Sequence, residues 1–261
     1  MTLCETFPLI AYDPTAEAHP RPWIIETLVM RGKIGALLGP EKVGKSRLLC
    51  WWLAALYTEQ TAVIGQRIHQ ASLPRKALYV AGEEQTEEDI FPRLACYAAE
   101  MGHKGVDMPI QFMEASGMGL DRVDRRRELG ELLQSGHFDW LILEPMRRLH
   151  DADEDKSTPM APIHNTLRAW SNRFGVSITI IHHTGKRSEE ADMNRIATWA
   201  RGTSDLATLL DTACFIEEKT RKDGQRRLRM LRAGRFPPVD ALLLDDFGDP
   251  RGFAAAHYER T

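Results

Sequence analysis

A glycine-containing segment near residue 40 has the residue types that bind phosphate. The eight residues from Gly39 to Ser46 read Gly-Pro-Glu-Lys-Val-Gly-Lys-Ser and match GxxxxGK followed by Ser or Thr without a gap. The glycines allow the backbone to wrap closely, so that its N–H groups point inward at phosphate oxygens. In this pattern Lys45 reaches the β- and γ-phosphates, and the Ser46 hydroxyl coordinates Mg²⁺. The segment therefore predicts a nucleoside triphosphate site formed by Gly39, Glu41, Lys42, Val43, Gly44, Lys45, Ser46 and Arg47.

Two further carboxylates are candidates for the chemistry of such a site. Glu144 directly follows the apolar run that begins at Trp140, and we expect it to hold the water shell of the metal ion beside Ser46. Asp is the more usual residue there, and Glu144 could instead cap a strand. Glu83 follows another apolar run, and we expect it to deprotonate or orient the attacking water. The alternative is that Glu83 and Glu84 are favourable charges at a helix N-terminus.

Two adjacent histidines end another apolar run. His182 and His183 point to opposite faces if the run is a strand, so only one of them can face the nucleotide. A histidine pair without further ligands is weak evidence for a metal site. We therefore interpret the pair as supplying a polar sensor of the γ-phosphate.

The pattern of apolar runs predicts the elements that position these residues. Short runs bounded by Gly, Pro and charged residues are typical of strands buried on both faces, and they begin near residues 34, 77, 109, 140, 176, 212, 227 and 241. Helix-length segments lie between them, at 46–59, 87–101, 122–134 and 162–173. The alternation predicts an α/β fold with a mostly parallel, twisted sheet flanked by helices. The last three runs, with a hairpin signal at Lys222-Asp-Gly-Gln, predict an antiparallel C-terminal extension.

Two long polar stretches follow predicted strands directly, at 145–162 and 184–201. Ligands in open α/β sheets lie at the carboxyl ends of strands, and loops of this length are usually functional or disordered. We expect these loops to bind single-stranded DNA through Arg147, Arg148, Lys186 and Arg187. The alternative is that these cations are solvated, or neutralised by the acids at 151–155.

Length and composition limit the class of protein. The chain has 261 residues, of which 43% are hydrophobic and 27% charged, with a net charge of −3, as in ordinary globular proteins. The longest apolar run has 10 residues, well short of the ~20 that a membrane span needs. The start of the chain lacks a signal-peptide pattern and none of the four cysteines forms a CxxC pair, so we expect a cytoplasmic protein. We expect an arm or tail over residues 1–21 and an ATPase domain over 22–261.

The ordered set of segments resembles the RecA-like fold and, within it, the hexameric replicative helicase RepA family of broad-host-range plasmids. The resemblance extends from about Pro22 to about Asp245. Its most specific parts are Leu143-Glu-Pro-Met-Arg-Arg-Leu-His150 and Ile180-Ile-His-His-Thr-Gly-Lys186. The stretch from Ala81 to Leu94 is similar to the family segment that carries the catalytic glutamate. The resemblance implies a RecA-like P-loop NTPase core.

Roles follow from the resemblance for individual residues. Glu83 is implied as the catalytic base, Glu144 as the metal-side acid in place of the family's Asp, and His183 as the γ-phosphate sensor. Arg232 and Arg235 resemble cations that reach the γ-phosphate of the neighbouring subunit in ring helicases, although their spacing is one residue longer than the commonest form. They could instead belong to the solvated face of an Arg-rich edge strand. The implied cofactors are ATP and Mg²⁺, and the implied partners are single-stranded DNA and further copies of the chain in a hexameric ring.

The sequence leaves three enzymatic functions open, besides a non-catalytic structural role if Glu144 disables turnover. The first is an ATP-driven DNA helicase or translocase of plasmid or mobile-element replication. The second is a RecA-like ATPase that does not unwind DNA and acts as a DNA-binding regulator or recombination mediator. The third is a small-molecule kinase, which is disfavoured because no cluster of arginines predicts a lid over the nucleotide and the His182-His183 strand end would have no role.

Overall fold

The chain folds around one large β-sheet with helices on both faces. The computed structural model describes residues 21–83, 86–105, 107–115, 118–184, 205–220, 226–234, 239–248 and 251–255. The strands are β1 (Trp23–Ile25), β2 (Val29–Met30), β3 (Ile34–Gly39), β4 (Ala62–Val63), β5 (Gln66–Arg67), β6 (Ala77–Ala81), β7 (Ile110–Glu114), β8 (Trp140–Glu144), β9 (Ser177–His183), β10 (Thr212–Thr220), β11 (Arg226–Gly234), β12 (Val239–Asp246) and β13 (Phe253–Ala255). The α-helices are α1 (Lys45–Tyr57), α2 (Phe91–Glu100), α3 (Val123–Ser135), α4 (Ser157–Phe174) and α5 (Asp205–Leu209). Single turns of other helix types cover Gln70–Ser72, Thr86–Ile90 and Met146–Arg148.

Nine of the described strands form the sheet, in the order β13-β12-β11-β10-β3-β9-β8-β6-β7. All pairings from β10 to β7 are parallel, and those from β10 to β13 are antiparallel. The predicted parallel sheet with an antiparallel C-terminal extension is therefore confirmed. The last strand, β13, was not predicted, because its three residues give no strand pattern. The residues of the predicted hairpin turn lie outside the described ranges, but Thr220 pairs with Arg226 across it.

Helices cover both faces of the sheet, which explains why its strands read as continuous apolar runs. On one face, α1 packs Leu48, Trp52 and Leu53 against the strands. On the other face, α3 and α4 contribute Leu133 and Trp170 to a second cluster. Because the parallel strands share one direction, their carboxyl ends lie along one edge of the sheet.

Helix α4 begins earlier than the sequence predicts. We expected a loop from 145 to 162, but α4 starts at Ser157 and contains Pro162. The first four N–H groups of a helix have no intrahelical acceptor, so Pro159 loses nothing there, and Pro162 removes only one backbone hydrogen bond. The polar stretch after β8 is therefore shorter than predicted. None of the helices in the described part of the chain is long and apolar enough to cross a membrane.

Candidate nucleotide-binding site

The loop between β3 and α1 has the backbone shape that its glycines allow. Gly44 immediately precedes α1 and has a φ of 101°, which side chains disfavour. A Cβ at Gly39 would lie 2.6 Å from the carbonyl oxygen of Ile216 on β10, so only glycine fits there. The loop thus joins the strand to the helix as a phosphate loop requires, with the α1 N-terminus facing the ligand site.

Lys45 is buried at the first position of α1. Its Nζ donates to the carbonyl oxygens of Gly39, at 3.0 Å, and Pro40, at 2.7 Å, and lies 3.3 Å from Nδ1 of His183. Burial lowers the pKa of Lys45 to about 8, although nearby Glu144 and other carboxylates act against this shift. The ammonium group remains mostly protonated at neutral pH and is fixed among loop atoms.

His183 lies beside the phosphate loop because β9 pairs with β3, and Gly39 is its partner in the register. An ammonium group has donors only, so Nδ1 of His183 accepts from Lys45 and the ring proton sits on Nε2. Burial and the Lys45 charge lower the pKa of His183, which favours this neutral form. His183 thus offers an N–H donor of the kind a phosphate sensor needs. His182 points to the other face, where its Nδ1 is 3.9 Å from Glu154 Oε1.

Glu144 and Ser46 form a pair suited to a metal ion. Glu144 ends β8 in a buried position, and its carboxylate accepts a hydrogen bond from the Ser46 hydroxyl. Burial raises the pKa of Glu144 to about 7, against the effects of Ser46 and Lys45. Its Oε2 is buried and has no hydrogen-bond partner. A hydroxyl and a free carboxylate oxygen at a phosphate loop are what Mg²⁺ and its water shell prefer, so these residues fit the ion.

Glu83 directly follows Gly82, two residues after the end of β6. The backbone N–H of Gly82 donates to the carbonyl oxygen of Glu144 at 2.6 Å, which joins the two acid-bearing strand ends. Glu83 is exposed, and its Oε1 accepts from Nε of Arg148 at 2.9 Å. A Cβ at Gly82 would lie 2.8 Å from Cβ of Arg148, so glycine allows this close approach. Glu84, the alternative base, lies outside the described residues.

Two of the four predicted DNA-binding cations are described. Arg147 and Arg148 are exposed on the single helical turn that follows Glu144 and Pro145. Arg147 Nε lies 3.8 Å from Glu154 Oε2, so the two arginines face different carboxylates. Lys186 and Arg187, and most of the second predicted loop, lie outside the described ranges.

The structure gives two predicted site arginines other surroundings. Arg232 is buried near the end of β11 and donates to Thr27 Oγ1 and to Gln66 Oε1. It occupies a structural position, not the exposed one that a residue reaching a neighbouring subunit needs. The guanidinium of Arg47 donates to both carboxylate oxygens of Asp246. Arg235 lies outside the described residues, so its role remains a prediction.

Sequence reasoning missed one residue that contacts the phosphate loop and one that holds it in place. Arg226 begins β11 and donates to the carbonyl oxygens of Lys42 and Val43. Asp246 ends β12 and accepts from both Arg226 and Arg47. The only local signal was the alternation along β11, which puts Arg226 on the same face as Leu228 and Met230, the face covered by α1.

Comparisons with known proteins agree with this geometry. The family described as AAA domain matches residues 4–189, more than half of the chain. Among solved structures, a KaiC-like protein from the hyperthermophilic archaeon Pyrococcus horikoshii has a TM-score of 0.58 over 90% of this chain and 94% of its own, at 11% identity. No curated protein matches the chain. The chain thus belongs to the AAA domain family and has the fold of a RecA-like P-loop ATPase.

Proposed function

We propose that the protein is an ATP-dependent DNA translocase or helicase that works as a ring of identical subunits in plasmid or mobile-element replication. ATP and Mg²⁺ are its cofactors, and single-stranded DNA is its partner. The proposal combines the nucleotide site described above with the sequence resemblance to the RepA helicases.

Residue roles in this reaction follow from the positions of the side chains. The phosphate loop and Lys45 bind the triphosphate, and bound Mg²⁺ supplies charge neutralisation at the β- and γ-phosphates. Ser46 and Glu144 hold the ion or its waters. Glu83 deprotonates or orients the attacking water, and the Nε2–H of His183 donates to a phosphate oxygen.

The observation that carries the DNA role is the ion pair between Arg148 and Glu83. Their Nε and Oε1 atoms are 2.9 Å apart, and both side chains are largely exposed. Arg148 is therefore a phosphate-binding type of side chain in direct contact with the proposed base. A DNA phosphate that captures Arg148 would release Glu83 for catalysis, which links DNA binding to ATP hydrolysis.

The decisive experiment measures ATP turnover with and without single-stranded DNA, followed by displacement of a labelled strand from a forked duplex. Lys45→Ala serves as the inactive control, because it removes the flexible cation of the phosphate loop. We expect stimulation by single-stranded DNA together with strand displacement. Stimulation without displacement would instead identify a RecA-like regulator that does not unwind DNA. No effect of DNA on turnover would overturn the DNA role.

A second measurement tests the loop assignment. Alanine at both Lys186 and Arg187 should weaken single-stranded DNA binding and reduce its salt dependence, because fewer phosphate contacts release fewer counterions. ATP turnover without DNA should stay at the wild-type rate. Unchanged DNA affinity would remove this loop from the proposed DNA-binding surface.

A further inference from the structure

The phosphate loop has a support on its outer side that is independent of the ligand-binding residues. Arg226 lies at the start of β11, at the edge of the sheet where β3 ends. Its Nη2 donates to the carbonyl oxygen of Val43 at 2.9 Å and to that of Lys42 at 3.3 Å. Its Nε donates to Glu218 Oε2 at 3.2 Å across the β10–β11 pair.

These two contacts fix the direction of the loop's N–H groups. In a trans peptide the C=O and the following N–H point in opposite directions. Because Arg226 holds the carbonyl groups of Lys42 and Val43 outward, the N–H groups of Val43 and Gly44 point the other way. Backbone N–H groups of this loop are the ones that cradle the α- and β-phosphates. Arg226 therefore orients two phosphate donors without facing the phosphate itself.

Asp246 connects this support to the start of α1. Its side chain is only 1% exposed, and its Oδ2 accepts from Nη1 of Arg226 at 3.0 Å. It also accepts from both terminal nitrogens of Arg47, at 3.0 and 3.1 Å, and from the backbone N–H of Gly248. Arg47 follows Ser46 in the first turn of α1, and its guanidinium lies 5.0 Å from the ring centroid of Phe253 on β13. One buried carboxylate thus fixes both sides of the loop against the C-terminal strands.

We propose that Arg226 and Asp246 are positioning residues that hold the phosphate loop in its ligand-binding shape before the nucleotide arrives. This role rests on the proposed ATP binding. Preorganised donors need no ordering when the ligand binds, so the contacts contribute directly to affinity. The antiparallel strands β11 to β13 are thereby part of the nucleotide site.

The chain contains a matched control pair one residue along each strand. Arg227 Nε donates to Asp245 Oδ1 at 2.7 Å, and the two residues are partners in the β11–β12 register. Because side chains alternate along a strand, this pair lies on the face opposite α1. Arg227→Ala and Asp245→Asn therefore remove an ion pair from the same two strands on the side away from the phosphate loop.

The test compares nucleotide affinity, steady-state kinetics and thermal unfolding across the variants. Arg226→Ala should raise the Kd for both ATP and ADP about tenfold, because both ligands use the same loop N–H groups. KM should rise with it, while kcat stays within about twofold of wild type. Arg226→Lys should also bind nucleotide more weakly than wild type, since one compact ammonium with three donors cannot replace a guanidinium whose three nitrogens reach four separate acceptors, the carbonyls of Lys42 and Val43 and the carboxylates of Asp246 and Glu218. The two control variants should leave the Kd unchanged.

Asp246→Asn separates positioning from simple electrostatics. Removing a negative charge near a phosphate site would tighten nucleotide binding if only charge mattered. The positioning role predicts weaker binding, because the amide cannot hold both guanidinium groups. Tighter binding by Asp246→Asn, or wild-type affinity in both Arg226 variants, would overturn the proposal. If the wild-type protein binds no nucleotide, the proposed function is wrong. If the wild-type protein binds nucleotide and the variants bind it equally well, only the positioning role of Arg226 and Asp246 is wrong.

Discussion

Glu83 and Glu144 have the same side chain in opposite surroundings. Glu144 is buried beside Ser46 and Lys45, with a pKa raised by burial to about 7. Glu83 is exposed and paired with Arg148. A carboxylate beside the metal-binding hydroxyl suits metal coordination, whereas an exposed one at the mouth of the site suits proton transfer with water. The two environments thus support different roles for two chemically equivalent groups.

Glu83→Gln should separate nucleotide binding from hydrolysis. The amide keeps the size of the side chain but cannot accept a proton from water, so kcat should fall by about 10²–10⁴. The Kd for ATP should stay near the wild-type value, as measured by equilibrium binding. Glu84→Gln is the neighbouring comparison: if it is inactive while Glu83→Gln retains turnover, the base is Glu84.

The pKa of Glu144 predicts how Mg²⁺-dependent ATP binding varies with pH. The ion needs the carboxylate form, which predominates above about pH 7 in the free protein and is lost as the pH falls below this value. The Mg²⁺-dependent part of the affinity should therefore decrease by up to about tenfold per pH unit below 7. ATP also takes up a proton in this range, so wild type is compared with Glu144→Gln at each pH. An identical pH profile for the two proteins would contradict a metal role for Glu144.

At the scale of elements, the turn after β8 connects the two halves of the site. It begins directly after Glu144, carries Arg148 to Glu83, and approaches Gly82 so closely that no side chain fits there. A movement of this turn therefore alters the surroundings of the base and of the metal-side acid together. Under the proposed function, DNA bound at this turn would influence hydrolysis through both residues.

Arg148→Ala should uncouple hydrolysis from DNA. Exposed ion pairs contribute about 0.2–1 kcal/mol, so release of Glu83 should raise DNA-free turnover by no more than about fivefold. Stimulation by single-stranded DNA should largely disappear, as measured by ATP turnover over a DNA titration. Arg122→Ala is a suitable control, because Arg122 forms a similarly exposed ion pair with Asp124 outside the site. Undiminished DNA stimulation in Arg148→Ala would exclude this coupling.

Elements and motif positions were predictable where the signal is local. All strands of the parallel sheet except the partly buried edge strand β7 are largely buried on both faces, so they appear as apolar runs, and the phosphate-loop pattern falls between one such strand and a helix. The start of α4 was not predictable from its prolines, because proline is tolerated in a first turn and breaks helices elsewhere. The burial of Arg232 depends on Thr27 and Gln66, which are 205 and 166 residues away in sequence. Contacts at such separations leave no local pattern.

The same limit applies to the residues that support the phosphate loop. Arg226 looks like one more arginine of an Arg-rich strand, and Asp246 like one of two adjacent acids. Only the order of the sheet, with β11 and β12 beside β10, brings them to the loop. The phosphate-loop pattern could therefore be found in the sequence, and the residues that support the loop could not.

At the scale of the whole molecule, the direction of β11 bears on how subunits meet. The strand begins with Arg226 beside the phosphate loop and runs antiparallel to β10, so that Gly234 pairs with Thr212, the partner of Gly35 at the start of β3. Over its nine residues the strand carries the chain roughly 26 Å away from its own nucleotide site. The far end of β11 is thus distant from the nucleotide site of its own subunit, which accords with the proposal that Arg235 serves a neighbouring subunit in a head-to-tail ring.

A mixing experiment tests whether Arg235 acts in the neighbouring subunit's site. Arg235→Ala subunits should bind ATP normally and hydrolyse it slowly, because an inserted arginine accelerates phosphoryl transfer by about 10³–10⁵. Glu83→Gln subunits lack the base but keep the arginine. In a random equal mixture, about a quarter of the interfaces join an intact base to an intact arginine, so a corresponding share of the activity should return. Arg229→Ala is the control for loss of an arginine from the same region, because Arg229 pairs with Glu217 within its own subunit. Arg229→Ala subunits should hydrolyse ATP at the wild-type rate without mixing. A fully active monomer would contradict the shared site and the ring, because catalysis would then be complete within one chain. A mixture as inactive as its two components would also contradict them, because no mixed interface would then be active.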